Sequence, residues 1–375
     1  MKELRPFQRE ALDALQNPVH LLCIAPTGSG KSLIYERMAI KPGYRTVLVS
    51  PLVALARQQA ERLGALGIPV SLGAGDSSAG PPRSKSGVWI ISPEKLWSPH
   101  SHKAASDLRQ WRPNFLAVDE CHCLWEWGDE FRPAFSRVPE LIRGSNIDRS
   151  LWLTATLPYK ARTHLRERIS QPLKEMGSFA LPEKLDLEIR RVPWINRAET
   201  LLTWIREQDG AGIVFVSTRD GTLRVSRLLQ ETGTPTVAYH AGMSAEERRG
   251  TESRITGQGP KVIVATSAFG MGMDHAHLRW VVMWQAPSSL LALAQGIGRV
   301  GRSNTAGNAL VLWDTDDFRL LEWTVRNSER RKSDLLDTYQ YLSSKDCRRV
   351  TLAKYFEGVT AKGRENCGHC DYCDG

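Results

Sequence analysis

The sequence predicts an α/β protein built on two parallel sheets covered by helices, and three observations carry that prediction. Short apolar runs alternate with helical patterns over most of the 375 residues, as strands joined by covering helices do. The alternation loosens around Leu181 to Arg197 and then restarts, which divides the chain into two like-built halves. A glycine-rich turn, Ala25-Pro-Thr-Gly-Ser-Gly-Lys-Ser32, joins an apolar run to a helical pattern in the first half, and the second half has no counterpart.

Taken in order, the chain opens on a helix over Pro6 to Gln16, followed by a strand over Val19 to Ile24 and a helix over Ser32 to Ile40. A strand over Thr46 to Ser50 leads to a helix over Val53 to Leu66, in which Leu55, Ala56, Gln59 and Leu63 recur at amphipathic spacing. Gly73 to Ser86, rich in Gly, Ser and Pro, reads as a solvent-exposed, disordered loop. Strands then fall at Val88 to Ser92, Phe115 to Val118 and Leu151 to Thr154. After the break they recur at Gly212 to Val216, Thr236 to Tyr239, Lys261 to Ala265, Trp280 to Trp284 and Ala309 to Trp313. Beyond about Arg319 the strands stop, and two helical stretches run into a cysteine cluster. The expected division is residues 1–188 and 189–328 as the two sheet lobes and 329–375 as a small helical module.

Bulk properties narrow the class. The length exceeds one ordinary core and needs no disulfide staples. No apolar run approaches a membrane span and the first residues carry no signal peptide, so a cytoplasmic protein without a membrane partner is expected. A net charge of +9 and a pI near 9.3 favour an anionic partner. Several of the twelve tryptophans lie near polar motifs rather than in apolar runs, where they could stack on bases.

The turn after the first strand has the parts of a triphosphate cradle. Thr27 to Ser32 would line it: Gly28 and Gly30 let backbone N–H groups approach the phosphates, Ser29 lies between them, Lys31 supplies a point charge and Ser32 a hydroxyl for Mg²⁺. The run Phe115-Leu-Ala-Val-Asp-Glu-Cys-His122 ends a buried strand in two acids, where such a cradle needs its metal partner. Asp119 would hold the Mg²⁺ and Glu120 would polarise the attacking water. The segment Leu124-Trp-Glu-Trp-Gly-Asp-Glu-Phe-Arg-Pro-Ala-Phe135 carries aromatics interleaved with glycine, proline and charges, which favours a base-stacking loop. Each stacked base contributes roughly 1–3 kcal/mol. Near the end, Cys347 and Cys367-Gly-His-Cys-Asp-Tyr-Cys373 form C-x₁₉-C-x₂-C-x₂-C, four thiolates able to close a tetrahedral Zn²⁺ site. An iron–sulfur cluster is the alternative, and His369 inside the cluster reads as a solvated turn residue.

Together, the Ala25 to Ser32 turn and the Asp119-Glu-Cys-His122 run resemble superfamily 2 helicases, and the flanking segments resemble the RecQ family of DNA helicases over nearly the whole chain. Ala25 in place of a first glycine is typical of helicase-type ATPases. The resemblance implies two RecA-like lobes and a small C-terminal helical zinc-binding module. It implies that Arg5 and Gln8, in Leu4-Arg-Pro-Phe-Gln8, contact adenine, and that Val49-Ser-Pro-Leu-Val-Ala-Leu55 and Ile91-Ser-Pro-Glu-Lys-Leu96 track the DNA strand. Leu153-Thr-Ala-Thr156 would couple hydrolysis to DNA, and the aromatic-rich segment would engage it through Trp125, Trp127, Phe131 and Arg132. Asp129 stands where the family usually has His.

In the second lobe, Gly212 to Arg219 and Tyr239 to Met243 resemble strand-contacting motifs. Ala265 to Asp274 resembles the motif linking DNA to nucleotide, with Gly270 and Gly272 admitting close backbone approach and Asp274 orienting groups in the cleft. Gln295-Gly-Ile-Gly-Arg-Val-Gly-Arg302 matches the arginine-finger motif, with Arg302 as the finger and Arg299 and Gln295 in support; Ser303 replaces the usual acidic residue. Such a finger is worth roughly 10³–10⁵ in rate. The match around Cys347-Arg-Arg and Tyr355-Phe356 favours zinc held by Cys347, Cys367, Cys370 and Cys373. Relatives often continue into a winged-helix domain, and one subgroup instead carries a phosphoribosyltransferase-like domain.

The expected function is therefore an ATP-dependent 3′ to 5′ DNA helicase or translocase serving repair or recombination in the bacterial cytoplasm and nucleoid. It would use ATP, Mg²⁺ and Zn²⁺, act on single-stranded and tailed duplex DNA, and work as a monomer. Rival readings are an RNA helicase or non-unwinding translocase, and a zinc-bearing nucleic-acid-binding ATPase switch.

Overall fold

A computed structural model describes residues 3–75, 77, 79–97, 102–127, 132–256, 259, 261–267, 269, 277–302, 305–358 and 366–373. The chain forms two compact units, Met1–Ala180 and Leu181–Gly375.

The first unit holds seven strands: β1 (Val19–Ile24), β2 (Arg45–Val49), β3 (Val70–Gly73), β4 (Gly87–Ile91), β5 (Phe115–Val118), β6 (Arg149–Thr154) and β7 (Leu173–Gly177). They pair in the order β3-β4-β2-β5-β6-β1-β7, every pair parallel. Alternate side chains feed two cores. Leu21 and Cys23 pack with Leu48, Ala117 and the helices Pro6–Ala14, Ser32–Ala39 and Val53–Ala65, while Leu22, Ile24, Val47 and Val49 pack on the other face with Trp152 and the helix Tyr159–Ile169. Burial on both faces is why β1, β2 and β5 read as continuous apolar runs.

The second unit pairs six strands in parallel, β8 (Leu185–Arg191), β9 (Ala211–Phe215), β10 (Thr236–Tyr239), β11 (Val262–Ala265), β12 (Leu278–Met283) and β13 (Gly307–Trp313), in the order β10-β11-β9-β12-β13-β8. In β9 a Cβ at Gly212 would fall inside the fully buried Trp280 indole, so only glycine fits beside it. The helices Thr315–Val325, Glu329–Ser343 and Arg348–Glu357 follow β13. The cysteine turn docks on edge strand β8, where Leu187 N donates to His369 O (3.1 Å) and Asp371 N to Leu187 O (3.0 Å). The expected lobe boundary at 188 falls inside β8. The loop after β3 is pinned in part, for Ala74 is buried and the Trp89 indole N–H donates to Ala79 O at 3.0 Å.

A fully buried ion pair fastens the second unit. Arg197 donates to both Asp317 carboxylate oxygens (3.0 and 2.9 Å), to Val192 O and to Trp284 O. Asp317 in turn accepts from Ala286 N and Asp314 N, each at 3.0 Å. Asp317→Ala should destabilise the unit by about 3–5 kcal/mol, since it strands a buried guanidinium. Reduced hydrogen-exchange protection of the β13 amides would report the loss.

Candidate nucleotide site and its surroundings

In a parallel sheet, ligand sites form beyond the carboxyl ends of the strands. The turn after β1, the Asp119-Glu120 pair after β5 and Thr154 closing β6 all lie at that edge of the first sheet. Gly28 and Gly30 adopt φ of +76° and +83°, which gives the loop a curvature that residues with a Cβ resist. A Cβ at Gly30 would also press on Gln8 Nε2 at 2.8 Å. Gln8 braces this loop from beneath: its Nε2 donates to Gly30 O (2.8 Å) and Ser29 O (3.4 Å), and its Oε1 accepts from Arg5 N (2.8 Å). The Arg5 side chain and Thr27 are exposed. Lys31 is buried and donates through Nζ to Ala25 O (2.8 Å) and Pro26 O (3.1 Å), while the Ser29 hydroxyl is buried with no hydrogen-bond partner among the described residues. A buried lysine whose ammonium donates to two loop carbonyls, beside an orphaned buried hydroxyl, suits an anion. Ser32 follows at the start of its helix, half-buried.

Asp119 is buried; its Oδ1 accepts from Glu120 N (3.0 Å) and its Oδ2 from Gln59 Nε2 (2.8 Å). Burial and then the Glu120 charge push its carboxyl up to about 7, against the pull of Lys31. A carboxylate so burdened gains from a cation, which is the fit expected of a Mg²⁺ ligand. Glu120 sits at φ +48°, in the left-handed region that is strained for a residue with a side chain. The His122 ring lies 3.3 Å from the Glu120 carboxylate, and its Nδ1 is 3.0 Å from Thr154 Oγ1. Thr156 N also donates to that hydroxyl (3.1 Å), which ties the end of β6 to the acidic pair.

The aromatic-rich segment is helical over Cys123–Trp127 and Pro133–Ser136, where the sequence favours a loop throughout. Phe135 is buried, and Trp125 is half-buried with its edge toward His164. The Arg132 guanidinium lies over Trp127 (5.1 Å) and Phe135 (4.4 Å), and donates to Glu94 Oε1 (2.6 Å) and Pro51 O (2.7 Å). One side chain thereby joins three segments expected to follow DNA. Phe131 and Asp129 lie outside the described residues, as do Gly270, Gly272, Asp274 and Ser303.

In the second unit Gln295 lies on the helix Leu290–Ile297, its Nε2 buried without a hydrogen-bond partner among the described residues. The Arg299 guanidinium is 5.7 Å from the Phe215 ring, and Arg302 Nε donates to Gly298 O at 3.1 Å. The four cysteine sulfurs of Cys347, Cys367, Cys370 and Cys373 lie within 4.8 Å of one another. Cys367 and Cys373 are 3.9 Å apart, close to the edge of about 3.8 Å of a tetrahedron with the usual Zn–S distance. His369 is turned to Asp186 at 2.7 Å, and its backbone N–H donates to Cys367 Sγ at 3.4 Å. No helix among the described residues is long and apolar enough to cross a membrane.

Sequence reasoning passed over Gln59 as a site residue and did not join Arg132 to Pro51. Gln59 left one signal, a polar side chain on the buried stripe between Ala56 and Leu63.

Three family models match successive parts of the chain: the DEAD/DEAH box helicase over residues 5–164, the helicase conserved C-terminal domain over 196–304 and the RecQ zinc-binding domain over 315–374. The ATP-dependent DNA helicase RecQ of Synechocystis is 32% identical over 86% of this chain and 72% of the relative. That of Haemophilus influenzae is 28% identical over 99% of this chain, which spans 61% of the relative's length. In fold, the chain is similar to Saccharomyces cerevisiae Dbp5 bound to RNA and ADP BeF3, with a TM-score of 0.65 at 18% identity over 87% of this chain and 88% of that one.

Proposed function

The chain belongs to the RecQ family of superfamily 2 helicases, and from that premise we propose that it is an ATP-dependent motor that moves 3′ to 5′ along single-stranded DNA and opens tailed duplexes. One observation carries the ATPase part: the buried Lys31, donating to two carbonyls of the glycine-rich turn, and the buried Asp119, held by Gln59, both stand at the carboxyl ends of strands of one sheet. In this reading Thr27 to Ser32 bind the triphosphate, Lys31 leaves its loop carbonyls for the β- and γ-phosphates, and Arg5 and Gln8 serve the adenine. Glu120 orients and polarises the water that attacks the γ-phosphorus, and ADP and phosphate leave. Mg²⁺, held by Ser32 and Asp119, would supply charge neutralisation on the phosphates. Arg302 is the proposed arginine finger, with Arg299, Gln295 and Asp274 in support.

Trp125, Trp127, Phe131 and Arg132 are the proposed DNA contacts, and the bond from Arg132 to Pro51 O supports a link to the rest of the unit. The cysteine cluster would hold Zn²⁺ as a structural ion; sulfurs this close fit one ion better than a polynuclear cluster. The protein is proposed to act as a monomer in the bacterial cytoplasm and nucleoid.

The deciding experiment is steady-state ATP turnover alone, with single-stranded DNA and with matched RNA, followed by a 3′-tailed duplex. Stimulation by DNA is expected; equal stimulation by RNA would turn the reading to an RNA helicase, and none would leave a conformational switch. Stimulation without opening of the tailed duplex would leave a translocase. Trp127→Ala should cut the DNA stimulation of turnover more than it weakens DNA affinity, because Trp127 stacks under the guanidinium that reaches Pro51. Equal stimulation in variant and parent would reject that role.

A further inference from the structure

We propose that Gln59 is a positioning residue for Asp119, coupling the strand-contacting start of the helix Val53–Ala65 to the carboxylate at the nucleotide site; the inference rests on the functional reading above. Gln59 lies on the buried stripe of that helix with Ala56 and Leu63, where a leucine would complete the apolar face. A buried amide costs free energy unless hydrogen-bonded. This one is half satisfied: Nε2 holds Asp119 Oδ2 at 2.8 Å, and Oε1 is buried with no hydrogen-bond partner among the described residues. The other oxygen of Asp119 is held by the adjacent residue's N–H, so Gln59 fixes the carboxylate from a separate element.

The same helix begins after Leu52, and the carbonyl of Pro51 just before it accepts from Arg132, which also pairs with Glu94. Arg132 rests on Trp127 and Phe135. From Val53 to Gln59 the backbone is continuous helix of about 1.5 Å rise per residue, a rigid connector that meets Pro51 through the extended residue Leu52. A strand that displaces Arg132 or engages Ser50 to Leu52 therefore moves Gln59, and with it the rotamer of Asp119. The open Oε1 suits a donor that arrives with the nucleotide, such as a metal-bound water.

The test uses the full chain with Gln59→Met, which keeps length and removes both polar atoms, and Gln59→Asn, which keeps the amide and withdraws it. Mn²⁺ binding in the presence of ADP, followed by electron paramagnetic resonance, should weaken by about 10- to 100-fold, as loss of an outer hydrogen bond to a ligand does. Oligo-dT affinity should stay within about twofold while the ratio of DNA-stimulated to unstimulated turnover falls about tenfold. Mn²⁺ affinity at the parent level in a variant with parental thermal melting, or an unchanged stimulation ratio, would overturn the proposal. If the parent itself is not stimulated by DNA, the functional reading fails instead, and the Mn²⁺ titration still decides whether Gln59 positions Asp119.

Discussion

Lys31→Ala will lower ATP turnover by about 10²–10³-fold or more, the loss that follows removal of a preorganised group facing developing charge. Lys31 is 8% exposed and its ammonium rests on two carbonyls of its own loop, which carry only partial charge, so a phosphate would give it a full negative partner. Alanine removes the charge, the loop tie and the partner that draws the Asp119 carboxyl down. Arginine should not restore turnover, because its planar fork does not fit a pocket shaped for a point charge. Zinc content should be unaffected, since the cysteines belong to the other compact unit. Initial rates in saturating Mg²⁺ and ATP give the check, and near-parental turnover would remove the cradle assignment.

Stripping the proposed Zn²⁺ from the cysteine cluster should unfold the C-terminal turn and loosen edge strand β8. In small modules a structural Zn²⁺ contributes about 10–16 kcal/mol of apparent folding free energy, more than most domains possess in total. Here the turn's other anchors are the Arg348–Asp371 pair (2.9 Å), the His369–Asp186 contact (2.7 Å) and backbone bonds to Leu187. Arg349, next along the helix, donates to Leu185 O (2.9 Å), Pro182 O (2.8 Å) and Leu181 O (3.3 Å), so disorder in the module should spread to the chain entering β8. Cys370→Ser, or a chelator strong enough to take the ion, should expose the amides of Leu185–Arg191 to hydrogen exchange and release zinc to a colorimetric indicator. Retained protection after complete release would mean that the module is held by packing alone.

Strands buried on both faces were legible because each is a run of apolar residues, and β1, β5 and β10 begin and end where the sequence places them. Edge strands β3, β7 and β8 were not, whereas edge strand β10 was. In β8, Leu185, Leu187 and Ile189 turn inward while Asp186, Glu188 and Arg190 face out, and an alternating charged segment reads as a break between lobes. β7, with Lys174 and Glu175, fails to stand out for the same reason, and β3 is three half-buried residues and a buried glycine. The cradle, the acidic pair and the four cysteines were legible because their chemistry depends on residue type at fixed spacing.

Sequence by itself determined the α/β class and placed the glycine-rich turn with Lys31, the Asp119-Glu120 pair and the four clustered cysteines, since each is local and obeys strand, helix or ligand spacing. Only the tertiary structure decided that Gln59 grips Asp119 across 60 residues, that Arg132 reaches Pro51 across 81, and that His122 meets Thr154 across 32. Those contacts join residues on different strands and helices, and no periodicity records them. They exist because a parallel sheet delivers the ends of β1, β2, β5 and β6 to one edge, where a buried polar group must find its partner from whatever element lies beside it.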